Sequence, residues 1–258
     1  MDRAGNNTRP DFSGELVRSL TGEVSDWHQH EFGQLVSARK GSMLIGTRRR
    51  VLILTPAMAI WIPPDAEHWS QSNASNEMLY VDVDRSDAEG LGADCRIIAM
   101  TPLIGELMQA TLPTARKNRS GAHQTAVDTL LREEVCAAPD VPLSIILPKD
   151  RRLAGLARQA FENPSAFASV ADWLDSAAAS RKTVERIFVS ETGMTPSKWL
   201  RHARLMHAII RLAAGEKVGT VALDVGYDSP SAFSFMFRQL VGKSPREFGR
   251  IPETGLGE

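Results

Sequence analysis

The last ninety or so residues of the chain contain the same short helical unit twice, about 48 to 49 residues apart. In both copies, apolar residues recur at positions i, i+3, i+4 and i+7, which is the pattern of one buried helix face. These residues are Val170, Trp173, Leu174 and Ala177 in the first copy and Val218, Val221, Ala222 and Val225 in the second. The duplication restricts this part of the chain to a helical architecture with an internal repeat.

A second helix is predicted after each of these first helices. Its buried face consists of Val184, Ile187 and Phe188 in the first copy and of Phe233, Met236, Phe237 and Leu240 in the second. Ser180 and Ser229 are matching N-cap candidates. Each copy then ends at a glycine and a proline, within 193–196 and 242–245. Two short helices joined by a tight turn predict a helix-turn-helix unit, whose second helix enters the major groove of DNA.

Between the copies, an uninterrupted helical pattern runs from about Ser197 to Ala214 and ends at Gly215. About 18 residues at about 1.5 Å each make a helix of roughly 27 Å, enough to hold two recognition helices about one DNA turn apart. One chain could then read two successive major grooves. The alternative is a plain helical bundle in which the repeat serves only packing.

Polar side chains on the second helix of the first copy favour DNA binding. The outward positions hold Arg181, Lys182, Glu185 and Arg186. This set is able to address guanine, cytosine and phosphate. Residues 1–150 carry 15 Lys and Arg against 20 Asp and Glu, whereas residues 151–258 carry 15 against 11. The helical half is therefore the basic half, as attraction to phosphate requires.

The N-terminal half has a different pattern, in which short apolar runs alternate with turn residues between about Phe12 and Asp84. Such runs predict the strands of a small antiparallel barrel or sandwich. They lie at 33–37, 42–46, 50–55, 59–62 and 78–83. Helices are predicted at 101–111 and 122–135, where they either pack on the barrel or pair with a second copy in a homodimer. The predicted fold class is α+β with two domains: a small antiparallel β-barrel plus helices, then an all-α tandem helix-turn-helix domain.

Three histidines of the N-terminal half form a candidate metal site. His28 and His30 are two residues apart, so on a strand they point to the same face. A turn rich in proline could return His68 to this pair, and Gln34 could add a side-chain oxygen. Three imidazoles and one oxygen suit zinc, nickel or iron. The alternative is that the histidines form hydrogen bonds inside a pocket that holds no metal.

Aromatic residues cluster around the same segment. They are Trp27, Phe32, Trp61 and Trp69. Core packing explains them, and the alternative is an aromatic-walled cavity for a small, largely apolar effector. Two cysteines without metal-type spacing, Cys95 and Cys136, predict a reduced cytoplasmic protein. With no apolar core of a signal peptide and no apolar stretch of about eighteen residues, we expect neither secretion nor a membrane partner.

Several runs of the C-terminal segment match a known pattern. They are Thr-Val-Glu-Arg-Ile-Phe at 183–188, Glu-Thr-Gly-Met-Thr-Pro at 191–196, Ala-Arg-Leu at 203–205, Val-Ala-Leu-Asp-Val-Gly-Tyr-Asp-Ser-Pro-Ser-Ala-Phe at 221–233, Phe-Arg at 237–238 and Gly-Lys-Ser-Pro at 242–245. Together, over 169–250 or about a third of the chain, they resemble the AraC/XylS family of transcriptional regulators. The motif His28-Gln29-His30 with Gln34 and Gly41, and then Pro63 to His68, is similar to the two cupin motifs of one AraC-type subgroup.

The resemblance implies which residues contact DNA. The base-reading positions are Lys182, Glu185 and Arg186 in the first unit and Ser231, Ala232, Ser234 and Phe235 in the second. Charge and location make Arg181, Lys198, Arg238 and Lys243 the phosphate candidates.

Four positions depart from the family pattern. Ala178 stands where the first turn usually has glycine, so a positive φ there would be strained. Phe235 stands where a polar base-reader is common, so the second unit is expected to read thymine methyls or to contact mainly the backbone. In the cupin motifs, Gln34 replaces the usual glutamate and Asp65 the usual glycine, which weakens the case for metal.

The resemblance also implies a domain order. We expect a disordered tail at 1–11, a cupin-like sensor barrel at 12–98, a helical dimerisation segment at 99–138, a proline-rich linker at 139–150, the DNA-binding domain at 151–250 and a tail at 251–258. The predicted function is a cytoplasmic, homodimeric regulator that binds an operator in double-stranded DNA and senses a small-molecule effector or a metal. The alternatives are a metal-dependent cupin enzyme, for which no positioned acid or base is visible, and a helical module that binds protein.

Overall fold

A computed structural model describes residues 12–20, 22–72, 75–141, 143–163, 166–167, 169–241 and 244–248. These residues belong to two compact units. The first unit lies within 1–48 and 54–142, and the second within 49–53 and 143–258. Within the described part of the chain, no helix is long and apolar enough to span a membrane.

The first unit is built mainly from antiparallel strands, as predicted. In chain order they are β1 (Phe12–Ser19), β2 (Val24–His28), β3 (Gly33–Lys40), β4 (Met43–Thr47), β6 (Met58–Ile62), β7 (His68–Ser72), β8 (Asn76–Val83) and β9 (Arg96–Ala99), whereas nearly all of β5 (Arg50–Leu54) belongs to the second unit. One sheet has the order β1-β8-β3-β6-β9. In the second sheet, β7 lies between β4 and β2. The predicted strands are present, and β1, β2, β7 and β9 are additional.

Helices cover one face of the sheet with the order β1-β8-β3-β6-β9. They are α1 (Pro102–Ala110), α2 (Pro113–Arg116) and α3 (Gly121–Ala137). Ile104 and Met108 of α1, together with Leu131 of α3, join the same apolar core as Leu35 and Trp61 of the sheet. Burial of these side chains removes apolar surface from water, at about 25 cal/mol for each Å², and so fixes the two helices on the sheet.

The predicted aromatic cluster is divided by the fold. Trp61 is fully buried and donates from its indole Nε1 to the carbonyl of Gly92 at 2.9 Å, so it is a core residue. Trp69 and Phe32 are half-buried, whereas Trp27 is 51% exposed on β2 and lies under the guanidinium of Arg48, 5.8 Å from the ring centroid. Core packing therefore accounts for Trp61 but not for Trp27.

The second unit is helical apart from one pair of strands. Its helices are α4 (Arg151–Glu162), α5 (Val170–Asp175), α6 (Arg181–Thr192), α7 (Pro196–Ala213), α8 (Val218–Asp224), α9 (Pro230–Val241) and α10 (Pro245–Phe248). Within the proline-rich segment 139–150, Ser144–Ile146 forms strand β10, which pairs antiparallel with β5. Proline content alone misses this strand, which the burial of Ile145 stabilises.

Capping residues divide the repeat where the sequence predicts. The Ser180 hydroxyl accepts from the amide of Thr183 at 3.3 Å, and the Ser229 hydroxyl accepts from the amide of Ala232 at 3.2 Å. Gly193 ends α6 in the left-handed region at φ 70°, which glycine adopts at little cost. Its counterpart Gly242 lies outside the described residues. The fold class predicted from the sequence is thus confirmed in both halves.

Candidate nucleic-acid interface and histidine cluster

Helix α6 separates an apolar face from a polar one. Val184 and Phe188 are fully buried and Ile187 is 5% exposed. The four predicted DNA-contacting residues are all exposed. They are Arg181, Lys182, Glu185 and Arg186. Burial of one face fixes the rotation of the helix about its axis, so the polar face is held toward solvent as a unit.

An aromatic cluster backs this helix. Trp173 of α5 stacks on Trp199 of α7, with ring centroids 5.5 Å apart and planes at 17°. Phe188 of α6 meets both indoles edge-on, at 5.2 Å from Trp173 and 5.6 Å from Trp199. Edge-to-face and stacked pairs at these separations are favourable arrangements of aromatic quadrupoles. The cluster therefore fixes α6 against α5 and α7.

Two backbone amides just before α4 form hydrogen bonds with the C-terminal turn of α6. The Glu191 carboxylate accepts from the amide of Lys149 at 2.6 Å and from that of Asp150 at 3.1 Å. Asp150 then caps α4 by accepting from the amide of Arg152 at 3.0 Å. Hydrogen bonds from Arg152 are the main cause that lowers the pKa of Asp150 to about 2. Since an ionised carboxylate accepts stronger hydrogen bonds, both ends of this junction are well held.

Arg181 differs from its neighbours because it already has a partner. Its guanidinium donates from Nε and Nη2 to the two oxygens of Asp175, at 2.8 and 2.6 Å. These hydrogen bonds lower the pKa of Asp175 and raise that of Arg181. Within the described part of the chain, no hydrogen bond holds the side chain of Lys182 or Arg186 in the same way. Arg181 must leave Asp175 before it can bind phosphate with its full fork.

Helix α9 presents a smaller and more apolar surface than α6. Ser231 and Ala232 are exposed, and Phe235 is 70% exposed. The half-buried Ser234 hydroxyl donates to the carbonyl of Pro230 at 2.7 Å, which leaves it less available to a base. Buried Phe233 and Phe237 hold α9 in the domain.

Two of the three remaining phosphate candidates lie among the described residues. Arg238 is exposed in the last turn of α9, and Lys198 is exposed in the first turn of α7. Lys243 lies outside the described residues.

The turns of the two copies have different backbones. In the second turn Gly226 has φ 82°, and a Cβ there would lie 3.0 Å from the guanidinium of Arg204. Ala178 is not among the described residues with positive φ, so the first turn avoids the strain that a left-handed alanine would carry. The first turn therefore does not use the left-handed backbone conformation that glycine favours.

Two arginines of α7, seven residues apart, bind the second helix-turn-helix unit, which consists of α8 and α9. Arg204 donates to the carbonyls of Gly226 and Phe167, each at 3.3 Å. Arg211 donates to the carboxylates of Glu216 and Asp224, at 2.5 and 2.7 Å, and these contacts raise its pKa. The orientation of the second helix-turn-helix unit on α7 thus depends on polar contacts at two positions that are about two helical turns apart.

The structure brings the three predicted histidines together. The ring centroid of His68 lies 4.2 Å from that of His28 and 5.2 Å from that of His30. Each ring has its Nδ1 within hydrogen-bond distance of a backbone carbonyl, between 2.6 and 2.8 Å. A carbonyl only accepts, so in the neutral form of each ring the proton lies on Nδ1 and the lone pair on Nε2. The buried Nε2 of His30 has no hydrogen-bond partner among the described residues.

Burial keeps two of these rings neutral. Loss of hydration is the main cause that lowers the pKa of His68 to about 4, and the neighbouring histidines lower it further. The pKa of His30 is also lowered, again mainly by burial. Protonation of either ring would place a charge in a poorly hydrated site, so near neutral pH both are electron-pair donors.

Gln34 has a hydrogen-bond partner outside the histidine cluster. Its amide Nε2 donates to the carboxylate of Asp82 at 2.7 Å, across the β3–β8 pair, and both side chains are buried. Asp65 adopts φ 61°, the left-handed conformation expected where related motifs have glycine. Over the described residues, no group of three or more His, Cys, Asp or Glu side chains has the geometry of a metal site. The proximity of the three rings is confirmed, but within the described residues they do not have the geometry of a metal site, and the ligand role of Gln34 stays a prediction.

Comparison with known proteins decides the family. Residues 173–251 match the family described as "Helix-turn-helix domain". The HTH-type transcriptional regulator NimR of Escherichia coli K12 is 26% identical over 225 residues, covering 87% of this chain and 82% of that protein. An AraC-like transcription regulator of Streptomyces lividans is 33% identical over 91 residues, covering 35% and 30%. The chain is an AraC-type transcriptional regulator.

A solved structure of ToxT from Vibrio cholerae O395 is similar to this AraC-type regulator at 13% identity and a TM-score of 0.40, over 95% of this chain and 99% of that one. The curated relatives are named as regulators of transcription, and the metal-dependent enzyme is accordingly the less favoured interpretation.

Sequence reasoning missed several contacts that shape the DNA-binding domain of the regulator. They are the Arg181–Asp175 pair, the acceptors of Arg204 and Arg211, and the Glu191 carboxylate on the amides of 149–150. An arginine and an aspartate six residues apart across a turn indicate an ion pair for Arg181. The sequence does not show whether its partner is Asp172 or Asp175.

Asp175→Asn is expected to tighten binding of this AraC-type regulator to DNA and to steepen its salt dependence by about one unit of log affinity against log salt, because it releases Arg181 to phosphate. The measurement is fluorescence anisotropy of a labelled duplex over a salt series. The double variant Asp175→Asn with Arg181→Ala separates this release from the loss of a negative charge. If the double variant keeps the steeper slope, Arg181 is not the group released.

Proposed function

We propose that the regulator binds operator DNA by inserting α6 and α9 into two successive major grooves, with α7 as the spacer between them. One observation carries the proposal: the exposed face of α6 presents Lys182, Glu185 and Arg186 together, on a helix whose other face is fixed by buried aromatic rings. The 18 residues of α7 span roughly 27 Å, which suits recognition helices about one DNA turn apart.

The base-reading roles follow from the side-chain chemistry. Arg186 offers a planar fork to the O6 and N7 of guanine, and Glu185 accepts from the N4 amine of cytosine. Lys182 donates to guanine or to phosphate. On α9, Ser231 and Ala232 are small and Phe235 is apolar, so this unit contributes thymine-methyl and backbone contacts. Hydrogen-bonded base specificity is thus assigned mainly to α6, in the first helix-turn-helix unit.

The phosphate-binding side chains are assigned on charge and location. They are Arg181, Lys198, Arg238 and Lys243. Each neutralised phosphate releases counterions, so these contacts give affinity that falls with added salt. A helical module that binds protein instead would lack this steep dependence.

We assign a sensor role to the cupin-like barrel at 12–98, dimerisation to 99–138, a connecting role to 139–150 and DNA binding to 151–250, in a cytoplasmic homodimer. The segments 1–11 and 251–258, predicted to be tails, lie outside the described residues. Leu103 of α1 and Leu130 of α3 are 45% and 43% exposed, which supports a self-complementary apolar contact. A small-molecule effector in the barrel would act by favouring one dimer arrangement over another.

The experiment that tests DNA binding is an electrophoretic mobility shift of the full chain on the DNA upstream of its own gene. Specific binding should persist against scrambled competitor and weaken steeply between low and physiological salt. Binding to scrambled DNA with equal affinity would overturn the proposal.

Two-groove reading predicts a strong dependence on spacing. Insertion of five base pairs between the two contacted regions turns the second groove to the opposite side of the duplex, so affinity is expected to fall roughly tenfold. A variant that carries Phe235→Glu on α9 should be weaker on the original site and nearly insensitive to the insertion. Quantitative footprinting measures the affinity of the wild type and of the variant for the original site and for the lengthened site. A wild-type chain that tolerates the insertion would restrict reading to one groove.

A divalent metal at His28, His30 and His68 is a second candidate role for the barrel. Its support is that the Nδ1 atoms donate to carbonyls, the arrangement usual for metal-bound imidazoles, and that His30 Nε2 is buried without a partner among the described residues. Zinc, nickel or iron would require the three Nε2 atoms to converge on one point, a geometry that the described residues do not have as they stand. Elemental analysis of the purified chain is expected to find metal that His68→Ala loses. Equal content in both forms would contradict this role.

A further inference from the structure

Val189 is an exposed apolar side chain on the side of α6 that holds the predicted DNA-contacting residues. It lies seven residues after Lys182, four after Glu185 and three after Arg186, so it continues the same stripe by one helical turn. Its side chain is 48% exposed, whereas the buried face of α6 is already complete without it. Valine is also a weaker helix former than the lysine or glutamate that suit an exposed position. Neither packing nor helix propensity accounts for Val189.

The surroundings of Val189 form one apolar wall of a groove. The groove is lined by Leu174 of α5, by Val189 with the polar stripe of α6, and by Thr195, Pro196 and Ser197 at the start of α7. Leu174 and Pro196 are buried, so Val189 extends their apolar surface outward to where a ligand could touch it. The polar stripe and the apolar wall thus belong to one continuous surface.

The major groove of DNA presents one apolar group, the C5-methyl of thymine. We infer that Val189 is a specificity-determining residue that contacts a thymine methyl in the half-site read by α6. One helical turn advances about 5.4 Å and one base pair about 3.4 Å. The thymine therefore lies roughly one or two base pairs beyond the base pair contacted by Arg186. This inference rests on the proposed DNA binding and adds an apolar determinant to the hydrogen-bonding readers.

The test uses uracil, which lacks only the methyl group. A duplex is first selected by the full chain from a random pool, and each thymine of the α6 half-site is then replaced singly by uracil. For the wild-type chain, one replacement should weaken binding roughly two- to fivefold, because a methyl contact is lost. In Val189→Ala, the same replacement should have almost no further effect, and its affinity for the thymine site should equal that of the wild type for the uracil site.

Controls keep the outcomes distinct. Val189 is exposed, so Val189→Ala should melt at the wild-type temperature, and Val189→Thr, which keeps one methyl, should retain part of the uracil sensitivity. Uracil sensitivity that is unchanged in Val189→Ala, or absent at every thymine in the wild type, overturns the inference while DNA binding stands. Selection of no preferred sequence overturns the proposed function together with it. Binding of the Val189 surface to a protein partner would appear as a Val189→Ala defect in association that no uracil position reproduces.

Discussion

Trp199→Ala is expected to lower the free energy of unfolding of the helical unit by about 3 to 5 kcal/mol, the usual cost of truncating a large buried aromatic residue. Trp199 is fully buried. It stacks on Trp173 and meets Phe188 edge-on, and its indole Nε1 donates to the carbonyl of Ile146 at 2.7 Å. The substitution therefore opens a cavity behind α6 and leaves a carbonyl of β10 without its donor. Urea denaturation followed by far-ultraviolet circular dichroism measures the change.

Two variants separate the causes of this loss. Trp199→Phe keeps an aromatic ring but no N–H donor, so the missing hydrogen bond at Ile146 should cost about 1 to 3 kcal/mol. Trp27→Ala removes the same side chain from a position that is 51% exposed in the first unit, and it should cost less than about 1 kcal/mol. Equal denaturation midpoints for Trp199→Ala and the wild type would show that the aromatic cluster does not hold the unit together.

The aromatic cluster also positions the predicted DNA-contacting face. Phe188 holds α6 on the cluster, and the proposed base-reading residues Lys182, Glu185 and Arg186 are exposed on the same helix. A cavity behind the helix lets its axis shift, and misplacement of a bidentate donor by a small distance removes its selectivity. We therefore expect Trp199→Ala to lose base preference at temperatures at which its secondary structure is still intact.

The repeat was predictable because its signals are local. Apolar spacing, two serine caps and the glycine that ends α6 each act within one or two turns, and each is visible in the sequence. The histidine cluster was predictable in part, since a proline-rich turn restricts where His68 can lie, but β2 ends at His28, so His30 reaches the cluster from beyond the strand and not through strand periodicity.

The contacts that escaped prediction depend on competition between distant partners. Gln34 is predicted to offer a side-chain oxygen to the histidines, but the sequence does not show that the register of β3 against β8 sets its amide Nε2 opposite the buried carboxylate of Asp82, a strong hydrogen-bond acceptor. Arg204 likewise finds its carbonyl acceptors 22 and 37 residues away. Register and long-range packing decide such choices, and neither is encoded in a local pattern.

Arg186→Ala is expected to weaken specific DNA binding by about 1 to 3 kcal/mol and to relax the preference at one base pair, because one bidentate guanidinium contact to guanine is worth this much. Binding to scrambled DNA should change far less, since that binding depends on phosphates. Competition titrations on the selected duplex and on its three variants at each position measure both effects. Because Arg186 is exposed, the melting temperature should stay near that of the wild type.

Two matched substitutions show whether the geometry or the charge of Arg186 is responsible. Arg186→Lys keeps the positive charge but not the planar fork, so it should retain non-specific affinity and lose most of the base preference. Arg18→Ala makes the same change of charge on a side chain that is 80% exposed in the first unit, and it should leave the operator affinity unchanged. If Arg186→Ala weakens every sequence equally, Arg186 binds phosphate, and hydrogen-bonded readout by α6 falls to Lys182 and Glu185.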